Sequence, residues 1–228
     1  MSQKGIDEAE SKAHYSRMKG FSEKFDKGAL GLFGAVDVGK DACWWDYGQL
    51  KLYSRNSLLL LEDSDEAALL RKFLSVKDLP HTGKSGATNV ELEHSYAFSS
   101  KLHTGKVKDS VVCRVTAREL EADGAIVVNC AAPKIVAGKG CILYNIISEG
   151  DIIAKDGEVK VEVNGENGES FILKSRIDID GGKAWKTVVE ENELSFEQVH
   201  KNNKNANITK IDAERTQKYI EIENTFGI

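Results

Sequence analysis

Residues 110–148 contain one short segment three times over, and this repeat constrains the fold more than any other feature of the chain. The three copies begin at Ser110, Ala125 and Cys141, which are 15 and 16 residues apart. Each copy runs from a small residue through apolar or thiol residues to a polar Arg or Asn, and a fainter copy begins at Ser95. Short β-forming segments at such a period are typical of the coils of a parallel β-helix.

The repeat also predicts which side chains stack on one another. A single coil cannot bury its inner side, so successive coils stack and matching positions form columns. The two expected columns are Val111, Ile126 and Ile142, and Val112, Val127 and Leu143. An ordinary β-sheet with coincidental spacing is the alternative interpretation of the same pattern.

The composition is that of a globular protein and argues against two classes of partner. Of the 228 residues, 41% are hydrophobic and 29% are charged, which is the usual balance of a folded domain. A net charge of −5 without a basic block predicts no nucleic-acid partner. No apolar run is long enough to cross a bilayer, and residues 1–10 are polar. We therefore expect no membrane partner and a cytoplasmic location.

The cysteines are expected to be buried thiols rather than metal ligands. They are Cys43, Cys113, Cys130 and Cys141, and no two of them form a Cys-x-x-Cys pair. The three that fall in the repeat occupy different phases of it, whereas the ligands of a zinc ion must converge on one point.

Local patterns divide the chain into four parts. Residues 1–76 are expected to form a small helical or α/β segment, and residues 77–88 a linker. The β-helix with a hairpin is expected over residues 89–180, and a C-terminal helical cap over residues 181–228.

Local sequence patterns also predict helices, a strand and a hairpin within these four parts. Helices are predicted within residues 1–27 and 62–74, from Ser195 onwards and around residues 213–223, and a strand within residues 28–39. The second helix has Ser64 as its N-cap, and its inward face is expected to contain Ala67, Leu70, Phe73 and Leu74. Ser195 begins a capping box. Residues 151–163 alternate on both sides of Asp156-Gly157, which predicts a hairpin.

One segment upstream of the repeat resembles a known family. It contains Trp45, Asp46, Gly48, Tyr53 and Asn56, followed by leucines at 58–61. This order is similar to the W-x-D-x-G-T-x-x-x-Y-x-x-A-N-x-x-L-L segment that ends the catalytic domain of sugar-1-phosphate nucleotidylyltransferases of the UDP-sugar pyrophosphorylase type. Three departures stand out: Trp44 supplies the family's spacing to Asp46, Gln49 replaces the usual threonine, and the interval from Tyr53 to Asn56 is one residue shorter.

The resemblance implies a fold. In several of those enzymes a left-handed parallel β-helix follows the segment directly, and the order of the two pieces is the same in this chain. The implied fold class is mainly β: a parallel, left-handed β-helix with strand and helix caps, preceded by a small α/β segment.

The resemblance also implies roles for four residues. Asp46 matches the family's aspartate that helps to hold magnesium between the nucleotide and sugar phosphates, and a carboxylate suits this hard cation. Trp45, Gly48 and Gln49 are the expected substrate-binding residues, for a sugar phosphate or a sugar nucleotide.

The catalytic half of the family pattern is not found. Residues 1–40 contain no G-x-G-[TS]-R-L loop, and the resemblance covers roughly residues 29–147. We therefore expect a C-terminal part that has no catalytic residue of its own and pairs with a separate catalytic domain or with further copies of itself. As part of a complete enzyme it would be a magnesium-dependent nucleotidyltransferase.

Two further interpretations stay open. A hexapeptide-type β-helix acyltransferase would need a histidine base, and His81, His94 and His103 precede the clear copies of the repeat. A non-enzymatic oligomerisation or docking module would need no chemistry, only strands that cover its end coils.

Overall fold

The computed structural model describes residues 6–25, 37–40, 42–84 and 89–227, in two compact units. The described part of the first unit, Met1–Cys43, contains helix α1 (Glu8–Ser22). The Asp7 side chain caps α1 by accepting from the Glu10 N–H at 2.8 Å. The helix predicted within residues 1–27 is confirmed. Of the strand predicted within residues 28–39, residues 28–36 lie outside the described residues, and 37–39 belong to no helix or strand.

The second unit, Trp44–Ile228, is mainly β. Its strands are β1 (His81–Lys84), β2 (Asn89–Phe98), β3 (Lys101–Lys108), β4 (Val111–Cys113), β5 (Thr116–Asp123), β6 (Ile126–Val128), β7 (Ala131–Ala137), β8 (Ile142–Tyr144), β9 (Ile152–Ala154), β10 (Glu158–Asn164) and β11 (Ser170–Arg176). Its helices are α2 (Leu50–Leu58), α3 (Asp65–Phe73), α4 (Phe196–Asn203) and α5 (Ile208–Phe226), with short 3-10 turns at Leu59–Leu61 and Glu166–Gly168.

The parallel strands stack as the coils of a β-helix, which confirms the predicted fold class. Strand β2 bends at His94, so that its first half pairs with β3 and its second half with β4. One side of the β-helix, the first face, then stacks β3, β5, β7 and β9. The other side, the second face, stacks β4, β6, β8 and β10. The direction in which the coils wind stays a prediction.

The strand registers confirm the columns that the repeat predicts. Val111 pairs with Ile126 and Ile126 with Ile142, and the neighbouring column of Val112, Val127 and Leu143 follows the same register. The fainter copy also takes its expected place, because Tyr96 in β2 pairs with Val111.

Each coil turns its corners on single residues in the left-handed backbone conformation. The first corner column contains Ser99, Arg114, Asn129 and Asn145, with φ between 46° and 66°. The second contains His94, Asp109, Gly124, Gly140 and Gly157, with φ between 45° and 71°. Glycine and asparagine, which adopt this conformation at low cost, occupy five of these nine corners. The first corner column recurs at the same 15- and 16-residue spacing as the copies of the repeat.

The hairpin predicted around Asp156-Gly157 is wrong. Gly157 is a corner residue, so β9 and β10 lie on different faces and pair with β7 and β8 rather than with each other. An Asp-Gly pair suits a hairpin and a coil corner equally, and only the neighbouring coil decides between them. The hairpin comes one element later, where β10 pairs antiparallel with β11.

The interior of the β-helix is apolar, with internal hydroxyl groups that are satisfied. Leu120, Val127 and Leu143 are fully buried, and each such side chain contributes about 1.5–3 kcal/mol. Ser110 donates its N–H to the Ser95 hydroxyl at 3.1 Å, and the Ser110 hydroxyl accepts from the Ala125 N–H at 3.0 Å. These contacts join successive coils from inside.

Helix α2 and the turn Leu59–Leu61 cover the outside of the second face. Tyr53 and Leu58 pack against the outward side chains of Ile126 and Ile142, and the turn packs against Tyr96 and Val111. Residues 44–76 therefore belong to the same compact unit as the β-helix. Residues 77–88, the segment predicted as a linker, contain strand β1. This strand pairs antiparallel with β2.

Helix α3 confirms part of its prediction. Ser64 caps it by accepting from the Ala67 N–H at 3.2 Å, and Ala67 and Leu70 are fully buried. Phe73 and Leu74 are 73% and 45% exposed, so their predicted inward orientation is wrong. The buried side of the helix consists of Ala67, Leu70 and Arg71, and Phe73 and Leu74 lie outside it.

The C-terminal elements cover one end and one flank of the β-helix. The capping box at Ser195 is confirmed at the start of α4. Helix α5, longer than predicted, packs Ile222 and Phe226 against Ala131 and Ile147. At the outer edge of β11, the Asn192 side chain accepts from the Lys174 N–H at 2.8 Å and donates to its carbonyl at 2.7 Å.

Close stacking of the coils can be tested at Gly105. Its φ is 139°, and a Cβ atom there would lie 2.0 Å from the Leu120 carbonyl oxygen. We expect Gly105→Ala to lower the free energy of unfolding by about 3 kcal/mol or more, because backbone strain and overpacking each cost about 1–3 kcal/mol. Urea denaturation followed by circular dichroism measures the loss.

The matched control is Gly124→Asn, at a corner where a Cβ atom meets only ordinary contacts. It should cost about 1 kcal/mol or less. Equal losses for the two variants would contradict the coil register.

Candidate functional site

Asp46 lies in a short loop that α2 holds in place. Its Oδ1 accepts from the Gly48 N–H at 2.7 Å, and its main-chain carbonyl accepts from the Asn56 side chain at 2.7 Å. Asn56 is buried in α2, so the loop is anchored to the helix. A Cβ atom on Gly48 would lie 3.0 Å from Asp46 Oδ1, so a larger residue would have to displace this carboxylate slightly.

Trp45 points to a different side from the other expected site residues. Its indole N–H donates to Glu66 in α3 at 3.2 Å, and its ring centroid lies 5.8 Å from that of Phe73. The side chain packs against the cluster that covers the second face. The neighbouring Trp44 is 90% exposed.

Gly48 and Gln49 line a pocket of about 400 Å³, which we call the aromatic pocket. Its other walls come from the start of α2 and from a distant loop; they include Tyr47, Tyr53, Asp180, Gly182, Trp185 and Phe196. The rings of Tyr47 and Tyr53 meet edge to face at 5.9 Å. The structure thus brings two of the four expected site residues to one pocket.

The loop that closes the aromatic pocket is a tight turn around Asp180. Its Oδ1 accepts from the N–H groups of Gly182 and Lys183 at 3.0 and 3.3 Å. Trp185 follows, and its carbonyl accepts from the Glu197 N–H of α4 at 2.9 Å. From sequence these residues show only a turn next to a tryptophan. Their meeting with Gly48 depends on the fold, and this half of the pocket was not predicted.

The two tyrosines of the aromatic pocket stay neutral. Burial raises the pKa of the Tyr47 phenol, and burial is also the main reason why the pKa of Tyr53 is raised, with the nearby Tyr144 adding to it. Both hydroxyls therefore remain hydrogen-bonding groups at neutral pH. The pocket combines aromatic faces with the polar groups of Gln49 and Asp180.

The metal expected at Asp46 would need ligands from elsewhere. In the described ranges of the chain, no three His, Cys, Asp or Glu side chains converge as a metal site. Magnesium in nucleotide sites is commonly held by one or two carboxylates together with substrate phosphates and waters. A single exposed carboxylate at Asp46 fits such a shared site, and it does not make a cage of its own.

The cysteines of the repeat are structural. Cys130 and Cys141 are buried, and their thiols donate to the carbonyls of Val128 and Lys155 at 3.3 and 2.7 Å. Burial raises the pKa of the Cys130 thiol to about 12. Cys43 is exposed, so the prediction of burial is wrong for that residue, and Cys113 is partly buried.

The acyltransferase interpretation needs a histidine base, but both ring nitrogens of His94 already have partners within the protein. Nδ1 lies 2.8 Å from Asp109 Oδ1, and Nε2 lies 2.7 Å from the Leu61 carbonyl oxygen. These contacts join a coil corner to the turn that follows α2. They leave no ring nitrogen for a substrate, and His81 and His103 are exposed on the surface.

Comparison with known proteins finds no matching family model, no matching curated protein and no matching solved structure. The class of protein that the fold defines is the parallel β-helix. Within the part of the chain that is described, no helix has the length and apolar character needed to span a membrane.

Thiol reactivity tests this description of the cysteines. At pH 8 a thiol with a pKa of about 12 has a thiolate fraction on the order of 10⁻⁴, so Cys130 should react on the order of 10³-fold more slowly than an ordinary exposed thiol. Maleimide labelling read by mass spectrometry should modify Cys43 first. The variant Cys43→Ser should lose the fast phase of labelling. Unfolding of the wild-type chain should make all four thiols reactive. Rapid labelling of Cys130 in the folded protein would contradict its burial.

Proposed function

We propose that this chain forms the sugar-side wall and assembly region of a sugar-1-phosphate nucleotidylyltransferase and is not catalytically self-sufficient. The observation that carries the proposal is the aromatic pocket, because two residues of the family-like segment, Gly48 and Gln49, line it. Its volume of about 400 Å³ lies in the range of small-molecule sites.

The chemistry of the aromatic pocket suits a sugar. Tyr47 and Trp185, each 39% exposed, offer flat apolar surfaces on which the C–H face of a pyranose ring can pack. Gln49 and Asp180 supply an amide and a carboxylate for sugar hydroxyls. This pairing of apolar faces with a few polar groups is what orients a small ligand.

The packing of the family-like segment supports the same proposal. Tyr53 and Leu58, both in that segment, lie on the outward side chains of the β-helix. The segment and the coils therefore form one unit, as expected where the end of a catalytic domain continues into a β-helix.

The proposal also includes a magnesium ion and a separate catalytic domain. Asp46 would contribute one carboxylate to a shared metal, and magnesium bound there would neutralise phosphate charge. The Gly48 N–H holds that carboxylate in place at 2.7 Å. A separate catalytic domain would supply the nucleotide loop, further copies of this chain could assemble with it, and the complete enzyme would be cytoplasmic.

Ligand binding tests the proposal. Titration calorimetry with UDP-glucose and with glucose-1-phosphate, each with and without magnesium, should detect saturable binding. Trp185→Ala should weaken binding on the order of tenfold, because one aromatic face of the pocket is lost. Trp44→Ala removes an exposed tryptophan outside the pocket and should leave the affinity unchanged. Asp46→Asn should abolish any increase in affinity caused by magnesium.

Other results of these titrations would contradict the proposal or favour the acyltransferase or the docking module. An absence of binding, or equal losses in the two tryptophan variants, would contradict a sugar site in the aromatic pocket. Binding of acetyl-CoA instead would favour the acyltransferase. A stable oligomer that binds none of these ligands would favour the docking module.

A further inference from the structure

A second pocket lies between the first corner column and α5. Its volume is about 330 Å³, and its lining includes Ser99, Lys101, Arg114, Thr116, Arg215 and Tyr219. We call it the corner pocket. Two guanidinium groups reach it from different elements, since Arg114 belongs to a coil corner and Arg215 to α5.

Arg114 is an unusual residue for its position. Its φ is 54°, a backbone conformation in which asparagine costs less than arginine. The next two levels of the first corner column carry Asn129 and Asn145. The Arg114 side chain is exposed, and within the described ranges no carboxylate lies at ion-pair distance from it. Local backbone preference therefore does not account for the arginine, as it does not account for Ser99 one level earlier. The reason for the arginine must come from the surroundings of its guanidinium.

Arg215 is held in place by the same column. It donates from Nη2 to the Asn129 carbonyl at 2.9 Å. When the Asn129 amide is turned so that its oxygen faces the guanidinium, both Nη atoms lie within 3.2 and 3.3 Å of it. Burial lowers the pKa of Arg215; the nearby Glu162 carboxylate opposes this effect, and the charge of Arg114 adds to it. A guanidinium nevertheless remains protonated at neutral pH.

The guanidinium of Arg215 is not fully satisfied. Its Nε is buried and has no hydrogen-bond partner in the described part of the chain. A buried donor without an acceptor is costly, and it is uncommon in native structures. Two like charges are thus held near each other, and the Nε of one of them lacks an acceptor.

The nearby acids are matched by other partners. Glu223, the carboxylate in the lining, pairs with Lys101 at 2.9 Å. Glu162, which also faces Arg215, accepts from the Ile147 N–H at 2.7 Å and pairs with Lys218 at 3.3 Å. The positive charge of the corner pocket therefore exceeds its negative charge.

We propose that the corner pocket binds a phosphate group, either as free phosphate or as the monoester of a small molecule. Arg114 and Arg215 provide planar, multiply donating cations that suit phosphate oxygens. The hydroxyls of Thr116 and Tyr219 lie 2.7 Å apart at the same wall. One of them donates to the other, so at most one remains as a neutral donor for a ligand. A bound anion also removes the repulsion between the two guanidinium groups.

Titration calorimetry with inorganic phosphate and with glycerol 3-phosphate tests the site on the intact chain. Arg114→Asn should weaken binding on the order of tenfold or more, because one charge-assisted contact is lost. The same change should leave the free energy of unfolding equal or higher, because asparagine suits the left-handed corner. Arg55→Gln removes the same charge from the exposed surface of α2 and should leave phosphate affinity unchanged.

A second readout follows the Arg215 side chain itself. In nitrogen-15 NMR spectra, its Nε–H signal should shift with phosphate in the wild-type chain and shift less in Arg114→Asn. Tighter binding of glycerol 3-phosphate than of phosphate would identify a monoester, and the reverse would identify free phosphate. No binding up to about 10 mM, where even a millimolar site would be filled, or full affinity in Arg114→Asn, would overturn the proposal.

The corner pocket and the aromatic pocket have no lining residue in common. Binding of UDP-glucose should therefore be the same in Arg114→Asn and in the wild-type chain. Glucose-1-phosphate is itself a monoester and can enter either pocket. UDP-glucose therefore tests the aromatic pocket and inorganic phosphate tests the corner pocket, so that a failure of one proposal is distinguished from a failure of the other.

Discussion

Hydrogen bonding between successive coils is the interaction on which this structure depends. Each coil donates to and accepts from the coils on either side, as Asn129 does when its N–H bonds to the Cys113 carbonyl at 2.8 Å. No coil could bury its interior or satisfy its backbone alone. The corners, the internal serines and the covering strands all serve this stacking. The protein is stable only as an array, and the two ends of the array need covers of their own: β1 at the start and β11 at the finish.

The two faces of the β-helix differ in what their outer sides present. The second face carries apolar columns outside as well as inside, and α2 with the turn after it buries them. The first face instead pairs opposite charges between adjacent coils, as in Lys134 with Glu119 at 2.7 Å and Lys108 with Glu93 at 3.0 Å. Such pairs tolerate water. The distribution of apolar and charged columns thus decides where the helices pack, and with them the walls of the aromatic pocket.

The sequence predicts the parts of the fold that repeat, because a fixed period reports which residues share a column. It does not tell a corner from a hairpin at Gly157, since a left-handed glycine serves both. It also does not reveal that Trp185 meets Gly48, because a single sequence carries no signal of which distant loops come together. Arg114 is the intermediate case: its position in the repeat is evident, but its departure from asparagine becomes meaningful only once the left-handed corner is seen.

The side chain of Asn192 has a consequence for how the protein can assemble. Its amide occupies both main-chain groups of Lys174 at the open edge of β11, which is where a strand from another molecule would otherwise add. The Asn192 amide thereby blocks one pairing position on the outer edge of this strand, much as a cap on one link hinders the next from attaching. A filament built end to end through β11 would have to displace this amide first, so that mode of assembly is disfavoured.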